Sequence, residues 1–228
     1  MPAAAAALAI WAGLGGTALL LADQRPAAAQ SAEAVGRIAQ AITVRIEGAT
    51  QGSGVLVKRE GNRYTVLTAW HVVADQKPGE ELDIYAPDGN RYPVEQGSIK
   101  RLGEVDLAVL TFSSDRAYTI AITGEPRGLP LGSSLYVSGF PLGTSSVPLR
   151  LMRLLRGDLV GNGVVDASRS QHLLYSNPTL PGMSGGAVLN LRAELIGIHI
   201  NAERADQISW PRPLEWCKTG GPTALIRV

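Results

Sequence analysis

The chain has a single cysteine, Cys217, so it can form no intrachain disulfide and build no cysteine-rich zinc site. It has only three histidines, His71, His172 and His199, and their positions share no metal-ligand spacing. No metal and no cofactor are therefore expected. An excess of charge of one sign is also missing: 21 Lys and Arg face 20 Asp and Glu, and no Lys/Arg-rich block occurs. That balance excludes a nucleic-acid partner held by a large basic field. Charged residues make up 18% and apolar residues 45%, a globular rather than a disordered composition. Gly (26) and Pro (14) are plentiful, as a chain of short strands and tight turns requires.

One long apolar run is present, Ala3 to Ala22, with no charge in it. By length it could span a bilayer. The small residues Ala27 and Ala29 that follow fit a signal-peptidase site, so residues 1–29 are read as a secretory signal peptide, with an uncleaved anchor as the alternative. No Lys or Arg precedes the run, a departure from the usual leader. No second such run follows, so no stable membrane association is expected after cleavage. Export without a disulfide pair points to a bacterial protein of the periplasm or exterior.

The rest reads as strands. Apolar runs of strand length occur at Ala41–Glu47, Gly54–Lys58, Tyr64–Ala69, Leu82–Ala86, Arg91–Glu95 and Asp106–Phe112, and resume at Leu135–Phe140, Leu149–Leu155, Leu173–Ser176, Ala187–Leu191 and Leu195–Ile200. Turn formers separate them, among them Glu60-Gly61-Asn62, Pro87-Asp88-Gly89-Asn90 and Gly161-Asn162-Gly163. The one helical stretch is Ser31–Gln40. Strands do not alternate with helices of 10–15 residues, which argues against a doubly wound parallel sheet. Two groups of about six strands predict an all-β barrel or sandwich. The chain divides into residues 30–123, the helix and first group, and 124–228, the second group and a divergent tail.

Three segments carry chemistry. Pro181-Gly182-Met183-Ser184-Gly185-Gly186 sets a serine among glycines. A serine hydroxyl is a weak nucleophile; it needs a base for its proton and donors for the oxyanion that forms. The backbone N–H groups of Gly182 and Ser184 are the natural donors. The string also matches the G-x-S-x-G elbow of α/β-hydrolases, but these require an acid and then a histidine after the serine. Only 44 residues follow here, and the sole later histidine is His199. The other order places base and acid first: His71 closes the run Thr68-Ala69-Trp70-His71, and Asp106 opens Asp106-Leu107-Ala108-Val109-Leu110. A half-buried carboxylate there needs a partner such as an imidazole N–H.

The segments TAWHVV, DLAVL and GMSGG, in that order, resemble the three motifs of trypsin-like serine proteases. Gly52-Ser53-Gly54-Val55-Leu56-Val57, about 17 residues before His71, resembles the opening strand of the bacterial high-temperature-requirement and glutamyl-endopeptidase branches. The likeness covers roughly Ile42 to Ile200. It implies two six-stranded antiparallel β-barrels with the site between them, a His71–Asp106–Ser184 triad, an oxyanion hole at Gly182 and Ser184, and a peptide or protein substrate. It also implies a specificity pocket. Pro178 falls where trypsin carries its acidic selector, which argues against Arg/Lys selectivity. Thr179 and His199 fall where glutamyl endopeptidases carry Thr and His, which implies preference for an acidic residue before the scissile bond; the plainer alternative is a strand histidine satisfied in the core. Ile200, Asn201 and Ala202 are the expected edge for the substrate backbone. Met183 replaces the Asp that digestive members pair with a freed N-terminus, so activity independent of that switch is expected.

The tail fits least well. Thr223–Val228 is the candidate last strand, while Ser209–Lys218 shows no period and reads as a loop over the cleft or an altered frame. Arg150, Arg153 and Arg156 read as a weak charged edge, and His172 as a surface histidine. Glu80, Glu81, Asp83 and Asp88 read as a solvated rim rather than a calcium site. Cys217 has no neighbouring histidine. The competing function is a catalytically impaired peptide-binding module on the same fold.

Overall fold

The computed structural model describes residues 29–77, 79–95, 97–164, 171–202 and 209–212. The leader expected over residues 1–29 lies outside these except for Ala29, as do Thr223–Val228 and Cys217. Among the described residues no helix is long and apolar enough to cross a membrane.

Ser31 starts the one α-helix among the described residues, α1 (Ala32–Ile42), by accepting the Ala34 N–H at 3.3 Å. Val35, Ala39 and Ile42 fall about a turn apart and are the residues α1 buries. At Thr43 the backbone turns extended and the chain enters the first sheet. That sheet contains β1 (Thr43–Glu47), β2 (Gln51–Glu60), β3 (Arg63–Thr68), β4 (Asp83–Tyr85), β5 (Arg91–Pro93), β6 (Lys100–Arg101) and β7 (Ala108–Ser113). Its order is β5-β4-β1-β2-β3-β7-β6, with every pair antiparallel. It curls on itself, for the Glu95 N–H just past β5 reaches Thr111 O on β7 at 2.8 Å. The second sheet is a closed barrel of six strands, β8 (Ser134–Gly139), β9 (Arg153–Val164), β10 (Gln171–Tyr175), β11 (Ala187–Leu189), β12 (Leu195–Ala202) and β13 (Ser209–Arg212), in the order β10-β13-β12-β11-β8-β9. The all-β double barrel expected from the sequence is therefore the observed architecture, with a seventh, two-residue strand in the first barrel.

Three cores account for the apolar runs. Leu56, Val66, Leu110 and Phe112 fill the first barrel. Leu135, Val137, Tyr175, Met183 and Ile196 fill the second. Their neighbours Val55, Leu67 and Val109 face outward, yet they are buried too. They meet Tyr136, Ala187, Leu189 and Ile198 of the second barrel, together with the apolar face of α1, in a core at the seam. Alternation of side chains along a strand thus sends residues into two different cores, and the strands read as continuous rather than alternating apolar runs. Each such side chain stabilises the fold by about 1.5–3 kcal/mol.

Two turn and strand expectations are corrected. Gly161-Asn162-Gly163 is not a turn; it lies inside β9, with Leu174 opposite Gly161 and His172 opposite Gly163. Pairing over most of a 12-residue strand outweighs the local turn preference. The loop expected over Ser209–Lys218 is corrected at its start, where Ser209–Arg212 forms β13, the last described strand, while Thr223–Val228 lies outside the described residues. Four residues including Pro211 are too few to display an alternation, and proline in a strand argues against strand on local grounds.

Candidate active site

β3 and β7 pair antiparallel, with Thr68 opposite Ala108. Beyond these partners the chain carries His71 on one strand end and Asp106 on the other. After β3 a 3-10 turn, Trp70–Val72, bends His71 back toward Asp106. The carboxylate then accepts twice from the same residue: Asp106 Oδ1 takes the His71 backbone N–H at 2.9 Å, and Oδ2 lies 2.8 Å from His71 Nδ1. A third contact, Trp70 N–H to Asp106 O at 3.2 Å, ties the two backbones together. The Asp106 side chain is 24% exposed and that of His71 44%. The contact at Nδ1 orients the ring and leaves Nε2 as its second nitrogen for other work.

Ser184 reaches this region because glycine lets its loop lie on the first barrel. The Ser53 N–H, near the start of β2, donates to Ser184 O at 2.8 Å. A Cβ on Gly185 would stand 2.0 Å from Ser53 O and 2.2 Å from Thr68 Oγ1, and one on Gly186 would stand 1.9 Å from Ser138 O. Gly182 and Gly185 also hold φ of 92° and 87°, values open to glycine at little cost.

The loop's peptide planes are pinned through their carbonyls. Pro181 O accepts from Leu142 N–H at 2.8 Å, Gly182 O from Ser53 Oγ at 2.9 Å, and Met183 O from Gly186 N–H at 2.9 Å. In a trans peptide the N–H points opposite to its C=O. The Gly182 and Ser184 N–H groups are thereby turned away from these partners, and among the described residues neither donates to a protein acceptor. Met183, at the position of the digestive members' Asp, is fully buried in the second barrel's core.

The Ser184 hydroxyl donates to Ile200 O at 2.9 Å and, among the described residues, forms no bond to His71. Ile200 is available because a bulge between His199 and Asn201 removes it from the β12–β13 ladder. β13 covers one edge of the expected substrate strand, opposing Asn201 with Trp210 and Ala202 with Ser209.

His199 lies beneath the serine loop, joined to it by Gly185 N–H to His199 O (2.7 Å) and His199 N–H to Gly186 O (2.9 Å). The residue is 2% exposed, and its Nδ1 lies 2.7 Å from Tyr175 Oη. Burial, with a smaller contribution from the charge of His71, pushes its pKa down to about 3, so the imidazole is neutral at pH 7. Burial drives the Tyr175 phenol the other way, well above its usual value. Thr179 is half-buried in the loop after β10, its N–H on Asn177 O at 2.8 Å. His172 is half-buried on β10 rather than fully solvated.

Two residues that touch this region were not singled out from the sequence. Ser53 is fully buried, and its hydroxyl joins the two barrels. Arg150, read as part of a charged edge, has a side chain only 7% exposed and lies at the barrel junction. The first was visible only as the middle of Gly52-Ser53-Gly54; the second had no signal, because four of its five partners are backbone carbonyls and the fifth, Glu47, is distant in sequence.

Among known proteins the chain is similar to Serine protease Do-like HtrA of Lactococcus lactis subsp. cremoris, 28% identical over 163 residues that cover 65% of this chain and 36% of that protein. It is similar to Serine protease Do-like HtrA of Bacillus subtilis at 27% over 151 residues, 65% of this chain and 32% of that one. A third relative is Serine protease HtrA-like of Staphylococcus aureus, 30% identical over 155 residues, 64% of this chain and 19% of that one. The chain thus spans at most about a third of the length of these relatives. The family model of the trypsin-like peptidase domain matches residues 52–198, a stretch that runs from the second residue of β2 to the middle of β12 and contains His71, Asp106 and Ser184. The chain belongs to the trypsin-like peptidase family.

Proposed function

We propose that the protein is an exported serine endopeptidase working through His71, Asp106 and Ser184. The observation that carries this reading is the double contact of Asp106 with the backbone and ring of His71, at the edge of a loop holding Ser184 and two undonated amides. In this reading Ser184 Oγ leaves Ile200 O, turns to His71 Nε2, passes its proton there and attacks the substrate carbonyl. The C=O becomes an oxyanion held by the Gly182 and Ser184 N–H groups. His71 returns the proton to the departing amine, leaving an acyl-serine. Water, deprotonated by His71, then releases the acid. Asp106 holds the ring tautomer and stabilises the imidazolium. No metal or cofactor enters.

For specificity we propose an acidic residue before the scissile bond, Glu above Asp, recognised by Thr179 and His199. In this assignment the Tyr175 phenol, kept protonated by burial, is the donor in its 2.7 Å contact with His199 Nδ1, and the ring proton sits on Nε2 as a donor for the carboxylate. An incoming carboxylate favours protonation of the ring and strengthens the contact. A peptide library should show cleavage after Glu, and His199→Ala should abolish that preference while cleavage after small residues persists. A small-aliphatic preference unchanged in His199→Ala contradicts the assignment and leaves His199 as a core residue satisfied by Tyr175. Export rests on the apolar leader and its small-residue site.

The bond from Ser184 Oγ to Ile200 O favours a second reading, a peptide-binding cleft in which the serine does not react. A fluorophosphonate probe separates the two. Labelling of Ser184 that is lost in His71→Ala supports the peptidase, and binding of peptide without labelling supports the module.

A further inference from the structure

We propose that Ser53 and Arg150 are positioning residues for the oxyanion-binding amides, forming one clamp across the barrel junction. This rests on the peptidase reading above.

The Ser53 hydroxyl has one proton, and its partners determine where it goes. Phe140 N–H donates to Ser53 Oγ at 2.8 Å, so the hydroxyl accepts there and its own proton goes to Gly182 O at 2.9 Å. The side chain of a first-barrel residue thus fixes the Gly182–Met183 peptide of the second barrel. The adjoining Pro181–Gly182 peptide, which carries one of the two proposed oxyanion donors, is fixed by Leu142 N–H, two residues past Phe140. Both holds on Gly182 therefore depend on segment 140–142 staying in place against Ser53.

Arg150 keeps it there. Its guanidinium has five N–H donors in a rigid plane, and the structure offers five acceptors. Nε lies 3.4 Å from Pro141 O. Nη1 lies 3.1 Å from Ile46 O and 2.8 Å from Glu47 Oε1. Nη2 lies 3.0 Å from Gly52 O and 2.7 Å from Phe140 O. Ile46, Glu47 and Gly52 belong to the first barrel; Phe140 and Pro141 follow β8 of the second. One side chain thus binds the residue before Ser53 and the residue whose N–H Ser53 holds. Burying a cation is costly unless its donors are all met. Here burial weakens the charge and Glu47 supports it. Ser53 meets Ser184 only through its backbone N–H, which Ser53→Ala retains, and neither clamp side chain bonds a side chain of the proposed triad, so the clamp acts through the Gly182 amide and not through the proton relay.

The prediction is selective loss of transition-state binding. A tripeptide aldehyde, with the sequence best cleaved by the wild type, is attacked by Ser184 Oγ to form a hemiacetal whose former carbonyl oxygen needs the two amides; the matching peptide alcohol keeps its hydroxyl but forms no adduct and develops no oxyanion. Ser53→Ala and Arg150→Lys should each weaken aldehyde inhibition by about 10- to 100-fold and lower kcat by a similar factor. Affinity for the alcohol and KM should stay within about twofold. Arg150→Lys keeps the cation but not the fork, so it reads the clamp even if Ser53→Ala fails to fold. Equal losses for aldehyde and alcohol, or no loss for either, overturn the proposal. If the wild type binds the aldehyde no better than the alcohol and resists fluorophosphonate labelling, the peptidase reading itself falls, and the clamp with it.

Discussion

At the scale of single residues, burial separates the histidines. His71 is the most exposed part of its contact with Asp106, while His199 is sealed under the serine loop and shares its ring with Tyr175. The consequence for stability has a definite sign. The folded-state pKa of His199, about 3, lies below the ordinary value of 6.5. Between these values the unfolded chain binds a proton that the folded one refuses. Stability from this residue is therefore fully present above about pH 6.5, and it declines as pH falls toward 3. Urea unfolding of wild type and His199→Gln at pH 7.5 and pH 5 should show a smaller loss on acidification in the variant. Equal losses would mean that the ring is not held neutral in the fold.

At the scale of elements, the serine loop depends on the absence of side chains where it crosses β2. Gly185 has φ of 87° and no room for a Cβ against Ser53 O. Gly185→Ala should cost more than about 2 kcal/mol or displace Ser184, through both strain and overlap with backbone. Its thermal midpoint and kcat should fall together, and a variant with wild-type values for both would contradict the packing described. This scale also separates what the sequence could reveal from what it could not. The ends of β3 and β7 were legible because His71 and Asp106 close or open apolar runs, and the loop was legible from glycines around Ser184. Strand interiors were legible from apolar content, although burial on both faces erased their alternation. Gly161-Asn162-Gly163 misled because pairing overrode its turn chemistry. β13 was hidden by its brevity and its proline. Arg150 was invisible because backbone carbonyls leave no mark in the residues that supply them.

At the scale of the whole molecule, the proposed site exists only where the barrels meet. The first barrel supplies His71, Asp106 and Ser53; the second supplies Ser184 and His199. The seam between them is filled by Val55, Leu67, Val109, Tyr136, Leu189 and Ile198, under the apolar face of α1. With one cysteine in the chain, this packing and the contacts of Ser53 and Arg150 hold the halves together in place of an intrachain disulfide. Buried Met183 stands immediately before Ser184, where the digestive members carry an acid, and the loop carbonyls are already held.

The central claim is that Ser184 is a nucleophile activated by His71, in a site that needs no proteolytic trigger. The most direct measurement is mass-spectrometric mapping of fluorophosphonate adducts on protein produced without its leader and never exposed to another protease. The account predicts one adduct, on Ser184, formed rapidly in the wild type and lost in His71→Ala. In Asp106→Asn it should form more slowly by as much as about 10⁴-fold, as expected when the orienting carboxylate is neutralised. An unlabelled Ser184, or labelling equally fast in His71→Ala, would contradict it.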